Sequence, residues 1–268
     1  MTDGVKHIIA VASGKGGVGK STVTANLALA MAAQGKRVGV LDADIYGPSQ
    51  AQMFAVPADQ KPKSDDGKTF DPIHAKGIQL MSMAFLVDQK TPMIWRGPMA
   101  SGAFQQLLNQ TRWDNLDYLF IDMPPGTGDI QLTMAQKVEV SGAVIVTTPQ
   151  DIALLDAKRG IEMFRQVKVP VLGVVENMSL HTCSQCGHSE PIFGEGGGER
   201  IAQEYQTELL GQLPLALSIR EQVDQGHPSV EADPEGKVAE VFKAIAAHIL
   251  EKMENQDSGS GPEISFSE

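Results

Sequence analysis

Cysteine is nearly absent: the 268 residues hold two, Cys183 and Cys186. A disulfide scaffold is excluded, and a chain this long buries roughly three quarters of the surface its unfolded form exposes, so its core needs no covalent staple. Long apolar runs are missing as well. None approaches the roughly 18 residues of a membrane span, and the N-terminus lacks the apolar core and cleavage site of a secretory signal. Positive charge is in short supply, with 22 Lys+Arg against 33 Asp+Glu and a formal net charge of -11. No global field is therefore available to hold nucleic acid or an anionic lipid surface. These absences predict a cytoplasmic chain with no nucleic acid and no membrane among its partners. In a reducing compartment, two neighbouring cysteines read as metal ligands or a redox pair rather than a structural bridge.

Hydrophobic residues make up 42% and charged residues 21%, both near globular averages, whereas 27 glycines and 12 methionines exceed what packing alone requires. Short apolar runs at 8–12, 37–41, 78–85, 118–121, 143–147, 171–175 and 209–213 read as strands buried on both faces. Helical spacing fills 21–34, 98–111, 152–167 and 198–205 between them. Repeated β-α units of this kind imply an α/β fold, a mainly parallel sheet with helices on both faces. Two stretches, 57–76 and 181–198, interrupt the alternation and read as exposed loops. Near the C-terminus Val238, Val241, Phe242, Ile245, Ile249 and Met253 fall on one helical face. The mixed charges around them favour docking on the sheet over a membrane-surface anchor. The expected organisation is one domain over 1–254, followed by a disordered acidic tail at 255–268.

Directly after the first strand, Gly14-Lys15-Gly16-Gly17-Val18-Gly19-Lys20-Ser21 fits G-x-x-x-x-G-K-[ST] and opens a helix. Its glycines allow the backbone to curl around a phosphate, so that successive N–H groups and the helix N-terminus face the anion. Lys20 is expected on the β- and γ-phosphates of ATP, the Ser21 hydroxyl on Mg²⁺, and Thr22 near the α-phosphate. Lys15 is an additional cation that the loop scaffold does not need. Supplied across an interface, it would neutralise charge on the transferring phosphoryl group, which predicts a homodimer sandwiching nucleotide. Asp42, Asp44 and Asp122 close two apolar strands on the edge where ligands bind in open α/β sheets. Asp122 is the candidate for positioning Mg²⁺ or its water, Asp44 for orienting the attacking water, and Asp42 for the metal's surroundings. The Gly126 N–H is a candidate γ-phosphate contact within a sensing loop at 124–129, and Asn177 is placed to read the adenine edge.

Cys183-x-x-Cys186 has a spacing that lets both thiolates reach one metal centre. Mononuclear zinc would need two more ligands, and His181 and His188 crowd the same stretch. A redox pair would ordinarily open a helix, which this pair does not. Two cysteines per chain make four per dimer, the full ligand set of a [4Fe–4S] cluster on the two-fold axis.

These motifs, with Ile45-Tyr46-Gly47-Pro48-Ser49, Trp95-Arg96-Gly97-Pro98-Met99, the run from Asp122 to Asp129, Glu176-Asn177-Met178-Ser179 and the run from Phe193 to Gly198, resemble the Mrp/ApbC-type iron–sulfur cluster carriers. Those carriers belong to the deviant Walker A class of P-loop ATPases, with the MinD- and ParA-like proteins. The resemblance spans roughly residues 6–250. It implies a homodimer, ATP at the loop, Lys15 acting across the interface, and a labile cluster held by Cys183 and Cys186 of both subunits for transfer to apoproteins. The alternative is a MinD/ParA-like ATP-switched positioning protein with a zinc-held or metal-free cysteine pair.

Overall fold

The computed structural model describes residues 4–85, 97–183 and 185–259. Its strands are β1 (Val5–Ala12), β2 (Val38–Asp42), β3 (Ile73–Ala75), β4 (Ile78–Ser82), β5 (Leu116–Asp122), β6 (Gly142–Thr147), β7 (Val171–Glu176), β8 (His181–Thr182), β9 (Ser189–Glu190) and β10 (Leu209–Gln212). The helices are α1 (Lys20–Ala33), α2 (Gln50–Met53), α3 (Gly97–Gln110), α4 (Asp129–Lys137), α5 (Asp151–Gln166), α6 (Gly197–Glu204), α7 (Leu217–Asp224), α8 (Ser229–Ala232) and α9 (Lys237–Gly259).

Eight strands form one sheet in the order β10-β7-β6-β1-β5-β2-β4-β3, parallel except for β3 at one edge. The β1, β2, β5, β6 and β7 interiors are almost wholly buried because helices cover both faces, which explains their continuous apolar runs. Helices α1, α2, α7, α8 and α9 pack together as one layer and α3, α4, α5 and α6 as the other. Phe242, Ile245, Ile249 and Met253 of α9 are buried, so its apolar stripe is docked, as its charge balance predicts.

The chain leaves β1, builds β2, β3 and β4 on one side, returns to insert β5 beside β1, and then adds β6, β7 and β10 on the other side. Neighbours on the two sides of β1 thus diverge at its carboxyl end, where open α/β sheets hold ligands. Register fixes what meets there: Asp42 pairs with Asp122, Val11 pairs with Asp122 across β1, and Thr147 pairs with Glu176, next to Asn177.

Three expectations need correction. The run at 78–85 is strand only to Ser82, where the Ser82 hydroxyl accepts the Ala84 N–H at 3.1 Å and the chain turns into a 3-10 helix at Met83–Phe85. Within the loops expected at 57–76 and 181–198, β3 pairs with β4, and β8 with β9. The last helix continues to Gly259, so 255–259 of the expected tail are helical; the rest of that tail, and Trp95 and Arg96, lie outside the described residues.

Candidate functional site

The loop from Ser13 to Gly19 leaves the end of β1 and enters α1 with Gly19 in the left-handed region at φ 84°. A side chain at Gly19 would place its Cβ 2.1 Å from the Asn177 amide nitrogen. At Gly14 a Cβ would stand 2.1 Å from the Asp156 carbonyl carbon of α5. Both glycines are therefore required by close approach of other chain segments. Asn177, buried at the end of β7, donates its Nδ2 to the Val18 carbonyl at 2.9 Å, which ties β7 to the loop. The Gly126 N–H donates to the Ser13 carbonyl at 2.9 Å. Both groups expected to face nucleotide thus brace the loop's own backbone.

Lys20 and Asp122 form a buried ion pair through Nζ and Oδ1. Lys20 Nζ also lies 3.3 Å from the Ser21 hydroxyl, and the Thr24 hydroxyl is 3.4 Å from Asp122 Oδ1. The other Asp122 oxygen accepts the Gln50 side-chain amide at 2.8 Å. Asp42 is fully buried. Its Oδ2 accepts the backbone N–H groups of Ser49 and Gln50 and the Ser82 hydroxyl, and its Oδ1 accepts the Asp44 N–H at 3.2 Å. Burial, reinforced by the charge of Asp122, pushes its carboxyl up to about 7 despite those donors. Asp42 thus organises the turn after β2. Asp44 Oδ1 accepts the N–H groups of Tyr46 and Gly47, both at 3.2 Å, a local turn pattern. Lys15 is half-buried, and Ser21 and Thr22 sit in the first turn of α1.

The cysteine pair occupies the tip of the β8–β9 hairpin. The Cys183 N–H donates to the His188 carbonyl and the Gly187 N–H to the Cys183 carbonyl, both at 2.9 Å, closing a tight turn. Backbone N–H groups of Cys186 and then Gln185 point at the Cys183 sulfur and hold its thiol below the usual range. Cys186 is exposed. The His181 Nδ1 meets the Leu215 carbonyl at 3.2 Å. Among the described residues no three His, Cys, Asp or Glu side chains converge as a metal site. The Cys₂His₂ zinc arrangement within one chain is therefore not formed here.

The family model of the NUBPL iron-transfer P-loop NTPases, a ParA group, matches residues 4–250. The chain belongs to this family. An iron–sulfur cluster carrier protein of Pseudomonas fragi is 64% identical over 242 residues, covering 90% of this chain and 84% of its own. The mouse iron–sulfur cluster transfer protein NUBPL is 49% identical over 255 residues, with coverages of 94% and 79%. Among solved structures, the nucleotide-binding protein of Archaeoglobus fulgidus in complex with ADP superposes with a TM-score of 0.76 at 39% identity, covering 90% of this chain and 93% of that one.

In this NUBPL-family chain the structure gathers Gly14 to Thr22, Asp42, Asp44, Asp122, Gly126 and Asn177 at one end of the sheet. The cysteine hairpin follows Asn177 within six residues along the chain. Sequence reasoning missed Gln50, whose side chain joins the Ser21 carbonyl at 3.0 Å to Asp122. It also missed Glu176 as a buried clasp, accepting the Gly198 N–H at 2.6 Å and the Gln212 amide at 2.7 Å. A polar residue within a glycine- and proline-marked turn gave no periodic signal for Gln50. The acid ending the fully apolar β7 was the available sign for Glu176.

Proposed function

We propose that this chain binds and hydrolyses ATP at the 13–22 loop and carries an iron–sulfur cluster between two copies of itself for delivery to apoproteins. The observation that carries the reading is the cysteine hairpin: one chain offers two thiolates on an exposed turn, and a [4Fe–4S] cluster takes four. Its relatives' names point the same way. The cluster is cargo, so the exposure that would be a defect in a structural metal site suits a carrier. N–H groups aimed at Cys183 favour the thiolate that iron requires. We place the protein in the cytoplasm, where such thiols stay reduced.

At the loop, Lys20 exchanges Asp122 for the β- and γ-phosphates, whose denser charge and several acceptors outcompete a single carboxylate. Backbone N–H groups from Gly14 through Gly19 wrap the phosphates, and Thr22 meets the α-phosphate. The donor set fits magnesium: the Ser21 hydroxyl beside Lys20 and the Asp122 oxygen that Lys20 vacates. When bound, Mg²⁺ neutralises charge on the phosphates. Asp44 orients the water whose oxygen attacks the γ-phosphorus as the bond to ADP breaks, with Asp42 holding the turn that carries Asp44. Lys15 of a second copy lies against the transferring group. Gly126 exchanges the Ser13 carbonyl for the γ-phosphate, and the Asn177 carbonyl oxygen meets the adenine amino group while its nitrogen keeps Val18.

Iron, acid-labile sulfide and zinc, counted on anaerobically reconstituted protein, test the reading. About four iron and four sulfide per dimer are expected, lost in Cys183→Ser/Cys186→Ser. Zinc without sulfide would turn the pair into a clasp and leave an ATP-switched positioning protein as the better account.

A further inference from the structure

Gln50, the first residue of α2, is completely buried although its side chain is an amide. Its Nε2 donates to the Ser21 carbonyl at 3.0 Å and to Asp122 Oδ2 at 2.8 Å. Both partners are pure acceptors, so the amide can face them only through its nitrogen. That leaves Oε1 as a buried acceptor with no hydrogen-bond partner among the described residues. A buried acceptor left bare is costly, and one on an amide whose nitrogen already binds the Ser21 carbonyl and the Asp122 carboxylate that pairs with Lys20 points to a missing donor.

We propose that Gln50 is a positioning residue for magnesium nucleotide, its N–H holding Asp122 in place when Lys20 departs and its oxygen accepting a hydrogen bond from a water of the hydrated ion. The inference rests on the reading of the loop as a magnesium–nucleotide site. Lys20 and Gln50 engage different oxygens of Asp122, so the departure of the lysine frees Oδ1 while Oδ2 stays tethered. The carboxylate then presents one oxygen in a fixed direction instead of rotating. Because the Gln50 backbone N–H, not its side chain, caps Asp42 at 3.0 Å, substitution leaves the Asp42 cap intact.

The test titrates a fluorescent ADP analogue in excess EDTA and across graded Mg²⁺, for wild type, Gln50→Met and Gln50→Asn. Methionine keeps the volume and loses both polar atoms; asparagine keeps the amide but is too short to span Ser21 and Asp122. Both variants are expected to bind the analogue in EDTA like wild type and to need roughly tenfold more Mg²⁺ for half-saturation, the equivalent of about one hydrogen bond. Should the methionine variant fail to fold, as read by circular dichroism, the asparagine variant carries the same measurement. An unchanged Mg²⁺ requirement, or an equal loss of affinity in EDTA, overturns the role of Gln50. If wild type itself shows no response to Mg²⁺, the magnesium reading of the loop falls first, and that outcome is separately visible.

Discussion

Gly19 and Asn177 should lose stability together, not independently. Replacing Gly19 by alanine puts a Cβ 2.1 Å from Asn177 Nδ2 at a backbone φ of +84°. An L-residue in that conformation costs about 1–2 kcal/mol. Displacing Asn177 also severs its 2.9 Å bond to the Val18 carbonyl in a buried setting, about another 1–2 kcal/mol. Gly19→Ala should therefore cost about 2–4 kcal/mol. Asn177→Ala loses only the hydrogen bond, about 1–2 kcal/mol. In the double variant the clash has nothing to strike and the bond is lost once. Its destabilisation should fall short of the summed single effects by about 1–2 kcal/mol. Urea unfolding of all four proteins, with equal m-values as the check on two-state behaviour, measures this coupling. Additivity within about 0.5 kcal/mol would refute the idea that Asn177 is clamped to the loop through Gly19.

Two more predictions concern the interface and the sheet. Lys15→Ala should bind nucleotide normally yet hydrolyse it roughly a thousandfold more slowly, as expected for a cation that acts on the transition state. Mixing it with Lys20→Ala should restore part of the rate, because such a mixed dimer contains one complete composite site; no restoration counts against action in trans. Asp117 accepts from Lys6 at 2.8 Å and from Arg37 through both its backbone and its guanidinium, and the Arg37 bonds chiefly hold its carboxyl well below the usual carboxylate range. A depressed folded-state value means the stabilisation is complete above the unfolded pKa, near 3.9, and disappears as pH falls further. Since its partners are largely exposed, Asp117→Asn should cost about 1–2 kcal/mol at pH 7 and progressively less below pH ~4. A stability difference that persists undiminished toward pH 2 would contradict that origin.

The parallel core was legible because strands covered on both faces must be continuously apolar, and β1, β2, β5, β6 and β7 are. The loop before α1 was legible because phosphate-wrapping backbone needs glycines at fixed spacing. Helix α4 was not, because Asp129-Ile130-Gln131-Leu132-Thr133 carries little apolar periodicity and begins inside a stretch that reads as a turn. The hairpin at the cysteines was hidden because two-residue strands rest on backbone bonds and one Thr182–Ser189 hydroxyl contact, not on a hydrophobic pattern. The residue types singled out do gather at one end of the sheet, but their hydrogen-bond partners could not be read from the sequence. Gly126 and Asn177 both look outward in sequence and brace the loop in space.

That bracing joins the proposed nucleotide loop to the cysteine hairpin. The Asn177 amide grips Val18, and the chain then runs through Ser179, Leu180 and His181 to Cys183. This connector is stitched to the 213–215 segment: the Ser179 N–H and hydroxyl both donate to the Leu213 carbonyl, and the Leu215 N–H donates to the Leu180 carbonyl, at 2.9, 3.0 and 2.9 Å. Pinned at successive residues, the connector has little freedom to bend locally. On the proposed reading, a shift of the loop as phosphate arrives is felt at Asn177 and, through this connector, at the hairpin that bears the thiolates. If the hairpin moves, the two thiolate pairs of a dimer change separation, and cluster retention depends on nucleotide. Linkage then requires the reverse with equal strength: cluster binding must alter nucleotide affinity by the same factor. Asn177 would thus do more than shape the loop: losing its bond to Val18 should weaken the coupling between the two ligands beyond whatever nucleotide affinity the lost adenine contact costs.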